Sequence, residues 1–586
     1  MTRRGRVLLA GIATAGLVGL QLVAVTGGST GAASGSGFTR QIAASGTTTM
    51  PVGVSGVDGL QRPEIAGVGG DAGAPAQIGP VVDRSFTSRP GHGPSATSQK
   101  TKSNPTLVTS FNGLNHRNQR LANGGNQFSL EPPDQGLCAG NGYVLETLND
   151  VARVYDRSGN PLTGAIDLNS FYGYPAAINR TTGVRGPFIT DPSCLFDTAT
   201  QRWFNVVLTL DVDPATGAFL GTNHLDLAVS TSANPTGSWR VYSLPVQDDG
   251  TQGTPNHGCT LDGTTPGPCL GDYPHIGADA NGFYITTNEY SFFGPEYKWA
   301  NLYAFSKQAL AANASSVTVV QLGTATSAGG NPGFTVWPAQ SPAGQFQTDN
   351  GGTEYFMSSD AAAEANGTGS SNRIWAWQLT NTASLGTASP SVTLSTRPVA
   401  VGSYAVPPAS EQKAGDYPLG QCLNDASCAT FLLGGPDPYA PNAESPLDSN
   451  DSRMQQVWYA NGKLWGALDT AVTVGGENRA GIEWFVVNPS SGKLAKQGYL
   501  AVAGNNVTYP AIAVTPSGRG VMAFTLVGRD HYPSAAFASI DALAGVGPVQ
   551  VAAEGLASIF HAARVEGSGR SPVGGGRVPG RRGYGC

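Results

Sequence analysis

Carboxylates and a histidine recur at related positions along the chain, and their chemistry could define a site. Asp134, Asp191 and Asp272 each lie near the start of an apolar run, and His275 follows Asp272 by three residues. Two carboxylates can serve as acid and nucleophile on a glycoside, and carboxylate oxygens also hold calcium or magnesium. An Asp at a strand start commonly bonds backbone N–H groups instead. The catalytic candidates are therefore these four residues, with a structural role open for each.

A second set of residues suits ligand binding. Tyr273, Trp337 and Tyr509 each precede a proline, and Arg453 lies near the start of a related apolar run. An aromatic ring beside a rigid proline can stack on a sugar, although packing between sheets is the alternative role. These four residues are the ligand-binding candidates.

Other chemistries lack their motifs. The sequence has no Gly-x-Ser-x-Gly elbow, HExxH helix, phosphate-binding loop or dinucleotide fingerprint. With 34 basic and 40 acidic residues, the net charge of −6 gives no electrostatic footprint for nucleic acid. We predict no cofactor and no metal site, with a structural calcium ion as the one exception left open.

The elements that must position these residues form a repeat. GDYPHIGADANGFYITTNEY, from Gly271, contains two apolar runs around an Asp-Ala-Asn-Gly turn, which predicts a β-hairpin. A third and a weaker fourth apolar run follow. Related stretches begin at Pro132, Asp191, Trp337, Met454 and Tyr509. Six units of four short strands predict an all-β fold, a β-propeller of six to seven four-stranded blades.

In a propeller the first strand of each blade lines the axis, so the candidate residues should converge on one mouth. The long loops 248–268 and 403–451 are expected to roof it. A lone strand is predicted at Thr106–Phe111, and the sequence after Phe560 is rich in Gly and Arg without apolar alternation. We therefore predict a seventh blade that is incomplete at the C-terminus.

The N-terminus has the pattern of a secretory signal peptide. Three arginines precede the apolar run Val7–Val25, and cleavage is expected after Ala33. An uncleaved membrane anchor is the alternative. The predicted organisation is a signal peptide over 1–33, a disordered Gly/Ser/Pro linker over 34–104, the propeller over 105–560 and a disordered tail over 561–586. Without the signal no membrane span is expected, and the protein should be a secreted monomer.

Export predicts that the seven cysteines pair. Cys259 with Cys269 and Cys422 with Cys428 are close enough in sequence to form local disulfides. Cys138 and Cys194 occupy equivalent positions in consecutive repeats, so they are expected to pair as neighbours near the axis. Cys586 is left over. A zinc site is the alternative, but the CxxC spacing is absent.

Several strings resemble a largely uncharacterised group of secreted bacterial β-propeller proteins. They include PPDQG from Pro132, DPSCLFDTATQRWF from Asp191, AVSTSANPTGSW from Ala228 and YPSAAF from Tyr532. SANPTGSW also resembles a relaxed Asp-box turn of sialidase-type propellers. The resemblance covers roughly 105–550 and implies a fold and an extracellular location, not a reaction. This chain lacks the RWGDY-like strand with which such proteins usually begin their last blade.

Three functions follow as hypotheses. The first is a binding scaffold that recognises a glycan or a cell-surface protein at the axial mouth. The second is a sialidase-like glycoside hydrolase using carboxylates at the same mouth, which requires two of them at a defined separation. The third is a structural cell-envelope protein whose channel is filled by side chains.

Overall fold

The computed structural model describes residues 31–32, 37–52, 93–97, 105–128, 130, 134–294, 296–325, 331–362, 364, 368–413 and 446–555. Within these ranges the chain is almost entirely β, so the all-β prediction is confirmed. The helices are short: α1 (His116–Gly125), α2 (Leu168–Phe171) and α3 (Lys307–Ala311). None of the described helices is long and apolar enough to cross a membrane.

Two N-terminal strands, β1 (Gly31–Ala32) and β2 (Phe38–Thr49), precede six consecutive antiparallel units. Unit 1 contains β3 (Gln135–Gly140), β4 (Tyr143–Leu148), β5 (Val151–Asp156) and β6 (Ile166–Asp167). Unit 2 contains β7 (Phe188–Asp197), β8 (Arg202–Val212), β9 (Phe219–Ser230) and β10 (Ser238–Pro245). Unit 3 contains β11 (Cys269–Ala278), β12 (Gly282–Ser291), β13 (Tyr297–Ser306) and β14 (Ser316–Gly323).

The second half of the chain repeats this plan. Unit 4 contains β15 (Trp337–Gln340), β16 (Thr353–Ser358), β17 (Ser370–Thr380) and β18 (Thr393–Ala405). Unit 5 contains β19 (Val457–Ala460), β20 (Lys463–Val474), β21 (Glu477–Asn488) and β22 (Lys493–Leu500). Unit 6 contains β23 (Asn505–Val514), β24 (Arg519–Gly528), β25 (Ser534–Asp541), β26 (Gly545–Val546) and β27 (Gln550–Ala553).

The hairpin of unit 3 shows why the repeat folds as it does. Oδ1 of Asp279 accepts hydrogen bonds from the N–H groups of Asn281 and Gly282 at 2.8 and 2.6 Å, which closes the predicted turn. On β11, a Cβ atom at Gly277 would lie 2.5 Å from the carbonyl oxygen of Ala339. Glycine is therefore required where the first strands of units 3 and 4 approach each other.

The hydrophobic core is divided among the interfaces between consecutive units. Separate clusters of buried side chains lie between units 1 and 2, 2 and 3, 3 and 4, 4 and 5, and 5 and 6. The first strands of neighbouring units lie side by side from β3 to β23. Among the described residues no hydrophobic cluster joins unit 6 to unit 1.

The segment 105–115 lies between these two terminal units. It does not form the strand predicted at Thr106–Phe111. Oγ of Ser110 contacts the carbonyl oxygen of Ala552 in unit 6 at 3.4 Å, and the Phe111 ring lies 5.1 Å from that of Tyr155 in unit 1. The N–H of Leu114 donates to Glu146 at 2.8 Å. Contacts to side chains thus replace the strand pairing that the apolar pattern suggested.

Strand β2 lies within the predicted linker, and here the structure differs from the sequence-based expectation. Its first half pairs with β14 of unit 3 and its second half pairs with β10 of unit 2, both antiparallel. Units 2 and 3 thereby become one nine-stranded sheet. The outer strand of each unit has a free edge that can accept another strand, and this edge overrides the weak strand pattern of a Gly- and Thr-rich segment.

The two predicted disulfides among the described residues are confirmed. Cys138 bonds Cys194 across units 1 and 2, with Cα atoms 5.5 Å apart, and Cys259 bonds Cys269 with Cα atoms 5.3 Å apart. The predicted Cys422–Cys428 disulfide, the signal peptide up to residue 30 and the tail 561–586 lie outside the described residues.

Candidate functional site

Three first strands carry the same irregularity, a bulge at a residue that precedes proline. Asp191, Tyr273 and Tyr509 have φ angles of 50°, 56° and 58°. At each of them the register with the second strand shifts. Positive φ is strained for residues other than glycine, and bulges often redirect side chains beside functional sites. In these three units the residue before proline therefore forms the same bulge in the first strand.

Tyr273, His275 and Trp337 form an aromatic group where units 3 and 4 meet. The rings of His275 and Trp337 stack with centroids 3.7 Å apart, and Tyr273 lies edge-on to His275 at 4.2 Å. Tyr273 and Trp337 are half-buried, whereas His275 is buried. Burial, and then the charge of Arg453, hold the pKa of His275 well below its usual value, so a neutral imidazole is favoured.

Arg453 approaches the aromatic group from the segment before unit 5. Its Nε and Nη2 atoms donate to Oδ1 and Oδ2 of Asp451 at 2.9 and 2.7 Å. The guanidinium carbon lies 5.7 Å from the ring centroid of Tyr273 and 5.0 Å from that of Phe334. A bidentate pair of this kind fixes the orientation of the guanidinium plane.

Tyr509 is tied to the same region through Asp469 of β20. The Tyr509 N–H donates to Oδ1 of Asp469 at 2.8 Å, and its hydroxyl donates to the carbonyl oxygen of Asp448 at 3.1 Å. Asp469 is fully buried, and its Oδ2 has no hydrogen-bond partner among the described residues. Burial raises the pKa of Asp469 well above its usual value, which favours the protonated carboxyl. Asp469 also interacts electrostatically with Asp451 and Arg453.

The three aspartates predicted as catalytic candidates are all buried. Oδ1 of Asp191 accepts a hydrogen bond from the hydroxyl of Thr190 at 2.8 Å. Asp134 exchanges hydrogen bonds with Asn149 through its backbone N–H and carbonyl groups. Both aspartates lie within electrostatic range of the Tyr273 hydroxyl.

The third aspartate, Asp272, lies within electrostatic range of Tyr290. It pairs in register with Asn288 of β12, immediately before the bulge of β11. The structure therefore gathers Asp134, Asp191, the aromatic group and Arg453 around Tyr273, and connects Tyr509 to them through Asp469.

Sequence reasoning missed Asp451 and Asp469. A signal for Asp451 was present, because an Asp two residues before Arg453 can accept that residue's backbone N–H, as it does at 2.8 Å. Asp469 is an acidic residue inside the otherwise apolar stretch of β20. A buried acid in a strand is unusual enough to indicate a special environment.

Comparisons with known proteins give this chain no family. No family model and no curated protein matches it. An apocarotenoid oxygenase variant from Synechocystis is 9% identical, covers 73% of this chain and 72% of its own, and has a TM-score of 0.34. An exo-beta-1,3-galactanase from Clostridium thermocellum is 11% identical over 72% of this chain and 80% of its own, with a TM-score of 0.29. At such TM-scores these similarities support no argument about fold or function.

The loop 248–268, predicted as part of a roof, contacts the second and third strands of unit 3. His257 approaches Glu289 of β12, and Nζ of Lys298 on β13 donates to the carbonyl oxygen of Gly258 at 2.7 Å. Residues 414–445 of the second predicted loop lie outside the described residues. Within the described chain, the side chains that converge closely enough to hold a metal ion are Asp248, His257 and Glu289, not the aspartates near Tyr273.

Proposed function

We propose that the protein is a secreted β-propeller scaffold that binds a saccharide at its axial mouth. Six consecutive units with adjacent first strands support the propeller arrangement. Five of the units have four strands, and in unit 6 the two short strands β26 and β27 share the fourth position beside β25. The pattern of the signal peptide and the two disulfides support export. Among the described residues this arrangement has six blades, and segment 105–115 contacts both the last and the first.

The observation that carries the binding proposal is the aromatic group beside Arg453. Tyr273 and Trp337 are half-buried, and both rings contact the buried ring of His275, which lies between them. Rigid aromatic rings provide apolar contact area, and a few oriented polar groups provide specificity, which is the usual composition of a small-ligand site. The sugar faces would stack on the rings, and the hydroxyl groups would bond the surrounding polar side chains.

The charges around the mouth favour a neutral or amino-bearing saccharide over an acidic one. Arg453 is already paired with Asp451. Asp134 and Asp191 add carboxylates within electrostatic range of Tyr273. These carboxylates would repel an anionic sugar. Among the described groups around Tyr273, no unpaired guanidinium is present to attract it.

A hydrolase at the same mouth is the second candidate, because Asp469 favours its protonated form. A protonated carboxyl group is the acid that glycoside hydrolysis needs. Against this candidate, Asp469 has no exposed surface from which to reach a substrate.

The test is a glycan array probed with the secreted protein, followed by titration of the best ligand. We expect Trp337→Leu and Tyr273→Leu each to weaken binding at least tenfold, about 1.4 kcal/mol. Tyr143→Leu is the matched control, since Tyr143 is also half-buried but lies in β4 of unit 1. It should bind as the wild type does.

Three results would reject the scaffold. Binding unchanged in both mouth variants would place the ligand elsewhere. No binding to any saccharide would favour the structural cell-envelope protein. Cleavage of a bound glycan that is lost in Asp469→Asn but retained in the control would favour the hydrolase.

A further inference from the structure

A cluster of polar side chains lies between units 2 and 3, on the face of unit 3 opposite the aromatic group. Phe283 and Ile285 of β12 pack toward unit 2, and Glu289 has the same alternation along the strand. Asp248 lies three residues beyond the end of β10, and His257 lies in the loop after it. Asp248 and Glu289 have no exposed surface.

The three side chains converge through one atom each. Nδ1 of His257 lies 2.8 Å from Oε1 of Glu289 and 3.4 Å from Oδ2 of Asp248. One ligand atom from each residue lies within 4.8 Å of the other two. Ligands about 2.1 Å from a tetrahedral zinc ion are separated by roughly 3.4 Å. Small side-chain adjustments are therefore enough to place all three atoms around one ion.

Buried atoms without partners provide a second observation. Oδ1 of Asp248 and the Tyr303 hydroxyl are buried and have no hydrogen-bond partner among the described residues. Tyr303 interacts electrostatically with both Asp248 and Glu289. Buried polar groups in proteins are nearly always satisfied, so unsatisfied ones beside two carboxylates point to a missing ligand.

The surrounding side chains hold the cluster in place. Nε2 of Gln321 and Nδ2 of Asn301 donate to Oδ2 of Asp248 at 2.6 and 3.2 Å. The Trp299 ring lies 5.0 Å from the ring of His257. The Cys259–Cys269 disulfide closes the loop just beyond His257. Such outer contacts orient metal ligands in known sites.

We propose that Asp248, His257 and Glu289 bind a divalent transition-metal ion of the zinc class. One imidazole and two carboxylates are ligands that zinc accepts, with water completing the coordination. Calcium prefers six to eight oxygen ligands and does not use imidazole. The ion would clamp the loop 248–268 onto unit 3 and would neutralise two adjacent buried carboxylates. This site is independent of saccharide binding at the mouth.

The experiment uses the secreted protein, purified without a histidine tag and treated with a chelator. Zn²⁺ is titrated by calorimetry, and Co²⁺ is added separately to record its visible absorption. We expect one tight equivalent of Zn²⁺ and a Co²⁺ spectrum of tetrahedral type. His257→Gln and Glu289→Gln should each weaken Zn²⁺ binding at least 100-fold.

His224→Gln is the matched control, because His224 also lies between two carboxylates, in unit 2. It should retain full Zn²⁺ binding. His257 is partly exposed, so its substitution leaves the fold testable by circular dichroism even where Glu289→Gln fails to fold. The proposal is overturned if the wild-type protein takes up no Zn²⁺, or if His257→Gln binds it as tightly as the wild type.

Discussion

His224 and His257 each lie between two carboxylates, at neighbouring interfaces of the same repeat, but they reach them in different ways. His224 directs Nδ1 to Asp226 at 3.2 Å and Nε2 to Asp211 at 3.8 Å. Burial disfavours charge on the ring, but the attraction of Asp226 and hydrogen bonds to both carboxylates outweigh it and raise the pKa of His224 to about 10. The folded protein therefore holds His224 in its protonated, positively charged form at neutral pH.

His257 instead directs a single nitrogen, Nδ1, toward both Glu289 and Asp248. Because both carboxylates lie next to the same nitrogen, their oxygens also lie close to each other. A metal ion placed there would have one oxygen from each carboxylate and the nitrogen as its three ligands. The same residue types therefore give an internal ion pair in one interface and a proposed metal site in the next. The two sites differ in how many ring nitrogens contact the carboxylates, two in His224 and one in His257.

The interface between units 4 and 5 offers a third arrangement. Glu483 is fully buried, and neither of its carboxylate oxygens has a hydrogen-bond partner among the described residues. The hydroxyl of Tyr499 beside it donates to the carbonyl oxygen of Ser403 at 3.0 Å. Burial raises the pKa of Glu483 to about 9, so this acid is neutralised by its own proton.

The largest effect should come from breaking the ion pair of His224. Asp226 is fully buried and also accepts hydrogen bonds from Thr209 and Tyr174 at 2.7 and 2.9 Å. We expect Asp226→Asn to lower the free energy of unfolding by about 3–5 kcal/mol, because it removes the nearer and fully buried counter-charge of His224. Thermal and denaturant unfolding at pH 7 measure this loss.

Asp211→Asn is the control for that substitution, because the Asp211 side chain is 35% exposed. Solvent screening limits its contribution to roughly 1 kcal/mol or less. Equal losses in the two variants would show that His224 is not held mainly by Asp226.

The second effect is a pH dependence that His224 confers. The pKa of His224 is raised to about 10, against about 6.5 in the unfolded chain. Its stabilisation is therefore complete below pH 6.5 and is lost as the pH rises toward 10. We expect the wild type to lose on the order of 3 kcal/mol more than His224→Gln between pH 7 and pH 10. Parallel melting-temperature curves for the two proteins would contradict the charged state of His224.

The third effect is a pH dependence that Glu483 confers. Here burial raises the pKa, whereas at His224 attraction to carboxylates does so against burial. The pKa of Glu483 is raised to about 9, so the folded state holds a proton that the unfolded state releases above about pH 4.5. The stability is highest below pH 4.5 and falls as the pH rises toward 9. We expect the free energy of unfolding of Glu483→Gln to exceed that of the wild type by about 1–3 kcal/mol at pH 8 and to equal it at pH 4.5. A variant that is less stable at pH 8 would show that the carboxylate is ionised and paired.

The smallest effect on stability is expected at the proposed metal site. Asp248→Asn in chelator-treated protein removes one of two adjacent buried carboxylates, so the change in unfolding free energy should lie within about 1 kcal/mol of zero. Added Zn²⁺ should raise the melting temperature of the wild type but not of this variant. A loss as large as that of Asp226→Asn would mean that the two histidine sites are alike.

The sequence predicted the parts of the fold that depend on local pattern. The hairpin turn at Asp279 and the Cys138–Cys194 disulfide follow from residues whose preferences act over a few positions or repeat between units. The bulges at Asp191, Tyr273 and Tyr509 were not predicted. Tyr273, His275 and Trp337 were also singled out from the sequence and lie in contact, but their role at an axial mouth stays a prediction.

The remaining features depend on which units face each other. Asp248, His257 and Glu289 are brought together by a loop folding over a hairpin, and no spacing in the sequence indicates this. Strand β2 escaped prediction because its partners lie far along the chain and its own residues are polar or small. The sequence of β2 itself does not reveal that the outer strands of units 2 and 3 have free edges with which it can pair.

Strand β2 also sets an order of events during folding. Arg40 on this strand donates to Gln321, 281 residues later. A chain that emerges from its N-terminus exposes β2 long before unit 3 exists, and the entropy of closing so large a loop delays pairing further. We therefore expect the strand to pair late, once units 2 and 3 have packed against each other. Cleavage between β2 and residue 93 would turn this strand into a separate peptide, held by its pairing with β10 and β14 and by the burial of Ile42 and Met50 in two hydrophobic clusters.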